Sequence, residues 1–197
     1  MTSEIKSAYL AAEGLTEPLL DELDGVIAVH DRLILSSKPF IDAHWAQNIW
    51  RTPQIVHIDS INDAAKKLKA IQRNWCLYSY QLHRRAKLIE ENLNTNQKKP
   101  IIFPSLLSPA PPGSFALLDE NTLLASTECS SPFPNGEAHF VEDKEGPPNR
   151  AYLKLYESLT LAGTRPQPGE FCIDVGGSPG GWAWVIHQCG AEVLSID

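Results

Sequence analysis

The sequence predicts an α/β protein, and three observations support this prediction. Short apolar segments typical of strands alternate with amphipathic segments typical of helices over residues 1–93. Residues 100–148 are rich in proline and contain one further hairpin pattern. Residues 171–197 have the pattern of a strand, a glycine-rich turn, a helix and a second strand. Hydrophobic residues make up 43% of the chain and charged residues 21%, which excludes a disordered, collagen-like or coiled-coil protein.

The N-terminal elements follow from periodicity and capping. A short helix is predicted over Leu15–Leu23, with Thr16 as its N-cap. A longer helix is predicted to begin after Ser60, because Ser60-Ile-Asn-Asp63 is similar to a capping box, and its apolar spacing continues to about Leu93. Strands are predicted at Ala8–Ala12, Val26–Val29, Arg32–Ser36 and Ile55–Ile58, the middle two forming a hairpin.

The longer predicted helix carries the densest basic cluster of the chain, formed by His83, Arg84, Arg85 and Lys87. A solvated helix face and an RNA-binding patch both fit such a cluster. The net charge of −7 argues against a protein covered with nucleic-acid-binding charge, but it leaves a local basic site open.

The middle of the chain leads from the first region into the second. Phe115–Leu118 and Leu123–Thr127 are predicted to form a hairpin, within long proline-rich connections. Arg150–Ala162 is predicted to be a helix that Gly163 ends as its C′ residue. Arg150 and Lys154 fall on one face of this helix, four residues apart.

The C-terminal pattern is typical of a nucleotide-binding unit. Its parts are a strand at Phe171–Val175, a turn at Gly176–Gly181, a helix at Trp182–Gln188, and a strand at Glu192–Ile196 that ends in Asp197. Glycines allow a ligand to approach the backbone, and the first N–H groups of the helix are free to donate. An acid at the end of the second strand can accept hydrogen bonds from both hydroxyls of a ribose.

The composition of the glycine-rich turn favours one cofactor over another. The turn lacks the GxGxxG spacing of dinucleotide-binding folds, and Pro179 stands where a pyrophosphate would be wrapped. Asp174, just before the turn, suits a ligand with a positively charged end, such as the ammonium group of S-adenosyl-L-methionine. A nicotinamide-dependent oxidoreductase is therefore the weaker alternative.

Two segments carry a resemblance to a known family. DVGGSPGGWAW…VLSID resembles motif I and the following strand of the FtsJ-type (RrmJ-like) ribose 2′-O-methyltransferases, and NRAYLKLYESL resembles their first catalytic helix. The PGGWxW form and the sizeable N-terminal region resemble the bacterial branch that acts on cytidine of large-subunit rRNA. That branch carries a THUMP-like, RNA-binding N-terminal region. The resemblance is strong over residues 147–197 and diffuse over residues 1–146.

The resemblance implies a set of site residues. Lys154 corresponds to the first member of the family's Lys-Asp-Lys-Glu catalytic set, whose other members lie on later elements. The 197 residues alone are therefore expected to be inactive and to bind the cofactor weakly. Trp182 is expected to pack against the glycine-rich turn or to contact the cofactor. The implied cofactor-binding residues are Asp174, Gly176, Gly177, Ser178, Pro179, Gly180, Gly181, Trp182 and Asp197.

The resemblance also implies RNA, and ribosomal RNA in particular, as the partner. Arg84, Arg85, Lys87 and Arg150 are the candidate contacts. Residues 1–146 are predicted to form an α+β, THUMP-like domain, and residues 147–197 the start of a Rossmann-like methyltransferase domain. The alternative is a non-catalytic RNA-binding module with a vestigial nucleotide-binding unit.

Other sequence features concern cellular location, metal binding and self-association. No apolar run is long enough to span a membrane, and the N-terminus lacks the pattern of a signal peptide, so a cytoplasmic protein is expected. Cys76, Cys129, Cys172 and Cys189 form no CxxC pair, so no metal site is predicted. The strand edges at 171–175 and 192–196 are expected to promote self-association.

Overall fold

The computed structural model describes residues 4–93, 99–105, 107–108 and 110–197. The chain divides into two compact units, one of residues 1–99 and 108–137 and the other of residues 100–107 and 138–197. Helices and mixed sheets confirm the α/β class. The boundary between the units differs from the one expected at residue 146. Ile101 forms a parallel bridge with Phe140 and so belongs to the second unit.

The described residues of the first unit form two four-stranded sheets, three α-helices and a short 3-10 helix at Pro134–Gly136. The first sheet has the order β2-β3-β1-β4 and the second the order β5-β8-β7-β6. All pairs are antiparallel except β6 with β7. The elements are β1 (Ser7–Ala11), α1 (Thr16–Glu22), β2 (Val26–His30), β3 (Leu33–Ser36), β4 (Ala46–Trp50), β5 (Pro53–His57), α2 (Ile61–Ile71), β6 (Trp75–Leu77), α3 (His83–Leu93), β7 (Gly113–Asp119) and β8 (Thr122–Ser126).

The core of the first unit is layered, because the side chains of β7 alternate between two clusters. Phe115 packs with Leu68 and Ile89 of the helices α2 and α3, whereas Ala116 packs with Leu10 and other residues of the first sheet. Helix α1 covers the other face of the first sheet through a third cluster. The helix carrying the basic cluster therefore packs on the outer face of the second sheet.

The predicted continuous helix from Ser60 to about Leu93 is wrong. Helix α2 ends at Ile71, and Trp75 begins strand β6, which pairs with β7. The Trp75 side chain is fully buried, and its indole Nε1 donates to the carbonyl of Leu68 at 2.9 Å. Leu82 has a φ of 47°, which a continuing helix excludes. Sheet pairing and burial of the indole thus outweigh the helical spacing of the apolar residues.

Two capping predictions have different outcomes. The side chain of Ser60 accepts a hydrogen bond from the backbone N–H of Asp63 at 3.1 Å, so the predicted start of α2 is confirmed. The prediction for Thr16 is wrong, because α1 begins at Thr16 itself and Leu15 is the N-cap, without a side-chain hydrogen bond.

Strand β4 was not predicted from the sequence, because the polar residues Gln47 and Asn48 near its start hide the apolar pattern of a strand.

The second unit contains the predicted strand–turn–helix–strand pattern. Its elements are α4 (Tyr152–Ala162), β9 (Phe171–Val175), α5 (Gly181–Gln188) and β10 (Glu192–Ile196). Strands β9 and β10 are parallel, and Asp174 lies opposite Ser195. Gly163 ends α4 in the left-handed region with a φ of 64°, as predicted. Tyr152, Tyr156 and Val185 pack with Phe140 into the core of this unit.

Within the part of the chain that the structure describes, no helix is long and apolar enough to cross a membrane. The same residues contain no group of three or more histidine, cysteine, aspartate or glutamate side chains that could hold a metal ion.

Candidate cofactor site

The glycine-rich turn lies between β9 and α5, at the carboxyl ends of two parallel strands. Gly176 and Gly180 have φ values of 76° and 95°, which residues with a Cβ atom rarely adopt. Gly176 donates its N–H to the carbonyl of Ile196 at 2.7 Å, so the turn is tied to the end of β10. Open α/β sheets bind their ligands at this end of the strands. The turn therefore combines an accessible backbone with the start of a helix.

Asp174 is a buried carboxylate directly beneath this turn, with only 6% of its surface exposed. Its Oδ2 accepts a weak hydrogen bond from the hydroxyl of Ser195, at 3.4 Å. No cationic side chain in the described residues forms an ion pair with it. A buried carboxylate is costly unless it is paired, so Asp174 is suited to a ligand with a positive charge.

Gly177 is packed tightly against this acid. A Cβ at Gly177 would overlap Ser195 Oγ and would lie 2.7 Å from Asp174 Oδ2. Any side chain at this position would displace Asp174 or Ser195. The turn is therefore held close over Asp174 because residue 177 is a glycine.

Asp197, at the end of β10, reaches the same turn. Its Oδ1 accepts a hydrogen bond from the backbone N–H of Ser178 at 2.9 Å. Pro179 and Gly180 follow in the turn, and α5 begins at Gly181. The structure thus brings Asp174, the glycine-rich turn and Asp197 together at one edge, where the sequence predicted them.

Lys154 lies on α4 and Trp182 on α5, and a hydrogen bond of Trp182 connects the two helices. The indole Nε1 of Trp182 donates to the carbonyl of Ala151 at 3.1 Å, so this ring packs on the first turn of α4 while 41% of its surface stays exposed. Lys154 is exposed on α4, and its side chain forms no ion pair with the described residues. No described acid therefore neutralises the ammonium group of Lys154.

The candidate RNA contacts differ in exposure. Arg84 and Lys87 are exposed on α3, where the Nζ of Lys87 lies 3.8 Å from Glu90 Oε2. Arg85 is half-buried, and its buried Nε has no hydrogen-bond acceptor in the structure. Arg150, in the second unit, forms an ion pair with Glu142 at 2.7 Å while its side chain stays 78% exposed. Among the three candidate contacts on α3, Arg84 and Lys87 are thus more accessible than Arg85.

Sequence reasoning missed two residues of this region. Ser195 was overlooked because its contact with Asp174 depends on the register of β10 against β9. Asn149 accepts a hydrogen bond from the N–H of Ala151 at 2.7 Å and lies against Gly181. An asparagine shortly before a helix is a capping signal, so the role of Asn149 could have been inferred from the sequence.

The comparisons with known proteins give one consistent name. No family model matches the chain. Proteins named Ribosomal RNA large subunit methyltransferase M are similar to parts of it. The protein from Halorhodospira halophila is 43% identical over 53 residues, which is 25% of this chain and 16% of that protein. The protein from Alkalilimnicola ehrlichii is 32% identical over 80 residues, covering 38% of this chain and 22% of that protein.

A longer match comes from Xanthomonas oryzae pv. oryzae, where a protein of the same name is 30% identical over 149 residues. That match covers 73% of this chain and 39% of the relative. The matched part is thus well under half of each of these relatives. The similarities support a relationship to the methyltransferases.

Proposed function

We propose that this chain forms the cofactor-binding part of an RNA methyltransferase that uses S-adenosyl-L-methionine. The observation that carries the proposal is the buried, cation-free carboxylate of Asp174 beneath the glycine-rich turn. The names of the similar proteins support methyl transfer to ribosomal RNA. The resemblance of the turn and of α4 to the FtsJ-type enzymes supports the ribose 2′-hydroxyl as the acceptor.

The residues of the site fit this cofactor. Asp174 offers a negative charge to the ammonium group of the methionine part, and the free N–H groups at the start of α5 suit its carboxylate. Asp197 lies at the end of β10, where an acid accepts hydrogen bonds from ribose hydroxyls. The two acids would therefore bind opposite ends of the cofactor.

The chemistry assigned to the chain is positioning. When bound, the cofactor supplies a methyl group on a positively charged sulfur atom. Lys154, exposed on α4, can donate a hydrogen bond to the acceptor hydroxyl and so orient it. In the family that the sequence resembles, the other members of the catalytic set lie on later elements. We therefore expect a polypeptide of these 197 residues to have little methyltransferase activity.

Isothermal titration calorimetry with S-adenosyl-L-methionine tests the proposal. The chain is expected to bind the cofactor, and Asp174→Asn is expected to weaken the binding at least about tenfold, because it removes a buried charge partner. Glu192→Gln is the matched control, since Glu192 is an exposed acid on β10 at the end remote from the turn. Equal affinities of the wild type and Asp174→Asn would reject this assignment, and so would binding of NAD in place of the methyl donor.

A second candidate function is RNA binding without catalysis, and the exposed basic residues of α3 favour it. We propose that the first unit is the THUMP-like region that the resemblance implies, with Arg84 and Lys87 as phosphate contacts. Binding of RNA together with the absence of any cofactor binding would favour this second function over the first.

A further inference from the structure

Two segments of the second unit meet beside the proposed cofactor site. Asn149 and Ala151 precede α4, which carries Lys154, and Gly181 and Trp182 begin α5 directly after the glycine-rich turn. Asn149 lies so close to Gly181 that a Cβ there would overlap Asn149 Oδ1 and would come within 3.3 Å of the Tyr152 backbone nitrogen. The two helix starts are therefore packed backbone against backbone.

One carbonyl group connects these segments through hydrogen bonds. The oxygen of Ala151 accepts from the indole N–H of Trp182 at 3.1 Å and from the backbone N–H of Lys154, also at 3.1 Å. A carbonyl oxygen has two lone pairs and can accept both bonds. The first hydrogen-bonded turn of α4 thus includes the backbone of Lys154 and is fastened to the side chain of Trp182.

The side chain of Asn149 fixes the same turn from its other end. Its Oδ1 accepts from the N–H of Ala151 at 2.7 Å, which satisfies a donor that the helix itself leaves unpaired. Behind these bonds, the rings of Tyr152 and Trp184 contact each other edge to face, with centroids 5.5 Å apart. These contacts together hold the start of α4 against the start of α5.

We propose that Asn149 and Trp182 are positioning residues, which hold Lys154 at a fixed distance from the glycine-rich turn. This inference rests on the proposed function, because it assumes that the turn binds the methyl donor and that Lys154 orients the acceptor. Neither residue needs to touch the substrate for this role. Methyl transfer is sensitive to such placement, since reacting groups must be aligned to a fraction of an ångström.

The test follows Lys154 directly by nuclear magnetic resonance of ¹³C-methylated lysines, with Lys154→Arg used to assign its signal. In the wild type, adding S-adenosyl-L-methionine is expected to shift the Lys154 signal. Asn149→Ala is expected to reduce this shift at least about twofold at cofactor saturation, and Asn149→Ser, which keeps an acceptor, is expected to restore it. Ser158→Ala is the matched control, because its hydroxyl donates to the carbonyl of Lys154 outside this contact.

Hydrogen exchange provides the second readout and needs no cofactor. The amide of Lys154 is expected to exchange faster in Asn149→Ala, and in Trp182→Phe, which keeps a ring but lacks the indole N–H. If the Lys154 amide exchanges faster in the variants but the wild type binds no cofactor, the structural contact is supported. The proposed function, and with it the role in methyl transfer, is then contradicted. Cofactor binding with equal Lys154 shifts in Asn149→Ala and the wild type would overturn the positioning role alone. If Asn149→Ala does not fold, Trp182→Phe takes its place in both measurements.

Discussion

At the scale of single residues, the packing of Gly177 against Ser195 makes a sharp prediction. Gly177→Ala is expected to destabilise the protein by about 1–3 kcal/mol, because the added methyl group overlaps Ser195 Oγ. Denaturant unfolding measures this loss. The double variant Gly177→Ala/Ser195→Ala makes room for the methyl group and is expected to recover part of it. Unchanged stability of the single variant would show that the turn is not held over Asp174 as described.

His30 gives a prediction about pH. Its ring stacks on Tyr80, with centroids 5.1 Å apart, and burial lowers the pKa of His30 below its ordinary value of 6.5. The unfolded chain therefore takes up a proton at a higher pH than the folded chain. Stability is expected to rise with pH between the lowered pKa and about 6.5, and to fall as the pH drops through this range.

Urea unfolding at several pH values between about 5 and 7 measures this effect. His30→Phe keeps a ring on Tyr80 and is expected to flatten the dependence on pH. His57→Gln is the control, because His57 is exposed and its side chain forms no hydrogen bond or ion pair among the described residues. An identical slope in the wild type and in His30→Phe would contradict the assignment.

The residues of the candidate site were largely predictable, but their partners were not. Asp174 directly precedes the turn, the glycines form it, and Asp197 ends the next predicted strand, so local pattern and backbone chemistry point to them. Ser195 contacts Asp174 only through the parallel register of β9 and β10. Such contacts come from tertiary pairing, which residue spacing alone does not determine.

At the scale of elements, the segment between α2 and α3 shows where periodicity fails. Apolar residues at helical spacing run through it, yet Trp75 lies in a strand and both helices pack on one sheet face. Short apolar segments fit a buried strand as well as a helix, and the pairing of β6 with β7 decides between them. By contrast, α4, β9 and α5 each have a glycine at a boundary, and the positions of these three elements and of β10 were predicted to within a residue or two.

The exposed cations of α3 give a prediction for RNA binding. The double variant Arg84→Glu/Lys87→Glu is expected to weaken binding to rRNA fragments and to make its dependence on salt less steep, by about 0.7–0.9 in log–log slope for each lost phosphate contact. Filter binding at several salt concentrations measures both effects. Lys66→Glu, an exposed lysine on α2, is the control. Equal salt slopes in wild type and double variant would exclude α3 as the RNA-binding face.

At the scale of the whole molecule, the sequence did not predict the paths of the connections. Residues 100–107 precede the second hairpin of the first unit in sequence, yet they belong to the second unit. Phe103 stacks on Tyr156 of α4 with ring centroids 4.0 Å apart. Proline-rich composition indicated a connection here, and it contains no information about which unit that connection packs against.

The outer face of β9 and β10 yields the last prediction, which concerns association. Phe171, Ile173 and Val175 are 61%, 60% and 79% exposed, and Leu194 and Ile196 extend the same apolar face. Exposed apolar faces and open strand edges promote association, whereas the net charge of −7 opposes it. Sedimentation velocity of the 197-residue polypeptide is therefore expected to show oligomers that increase with concentration and with salt, which screens the repulsion. Ile173→Lys is expected to reduce them, whereas Leu161→Lys, at an exposed leucine on α4, is not. A wild type that stays monomeric at every concentration and salt would show that this face does not drive association.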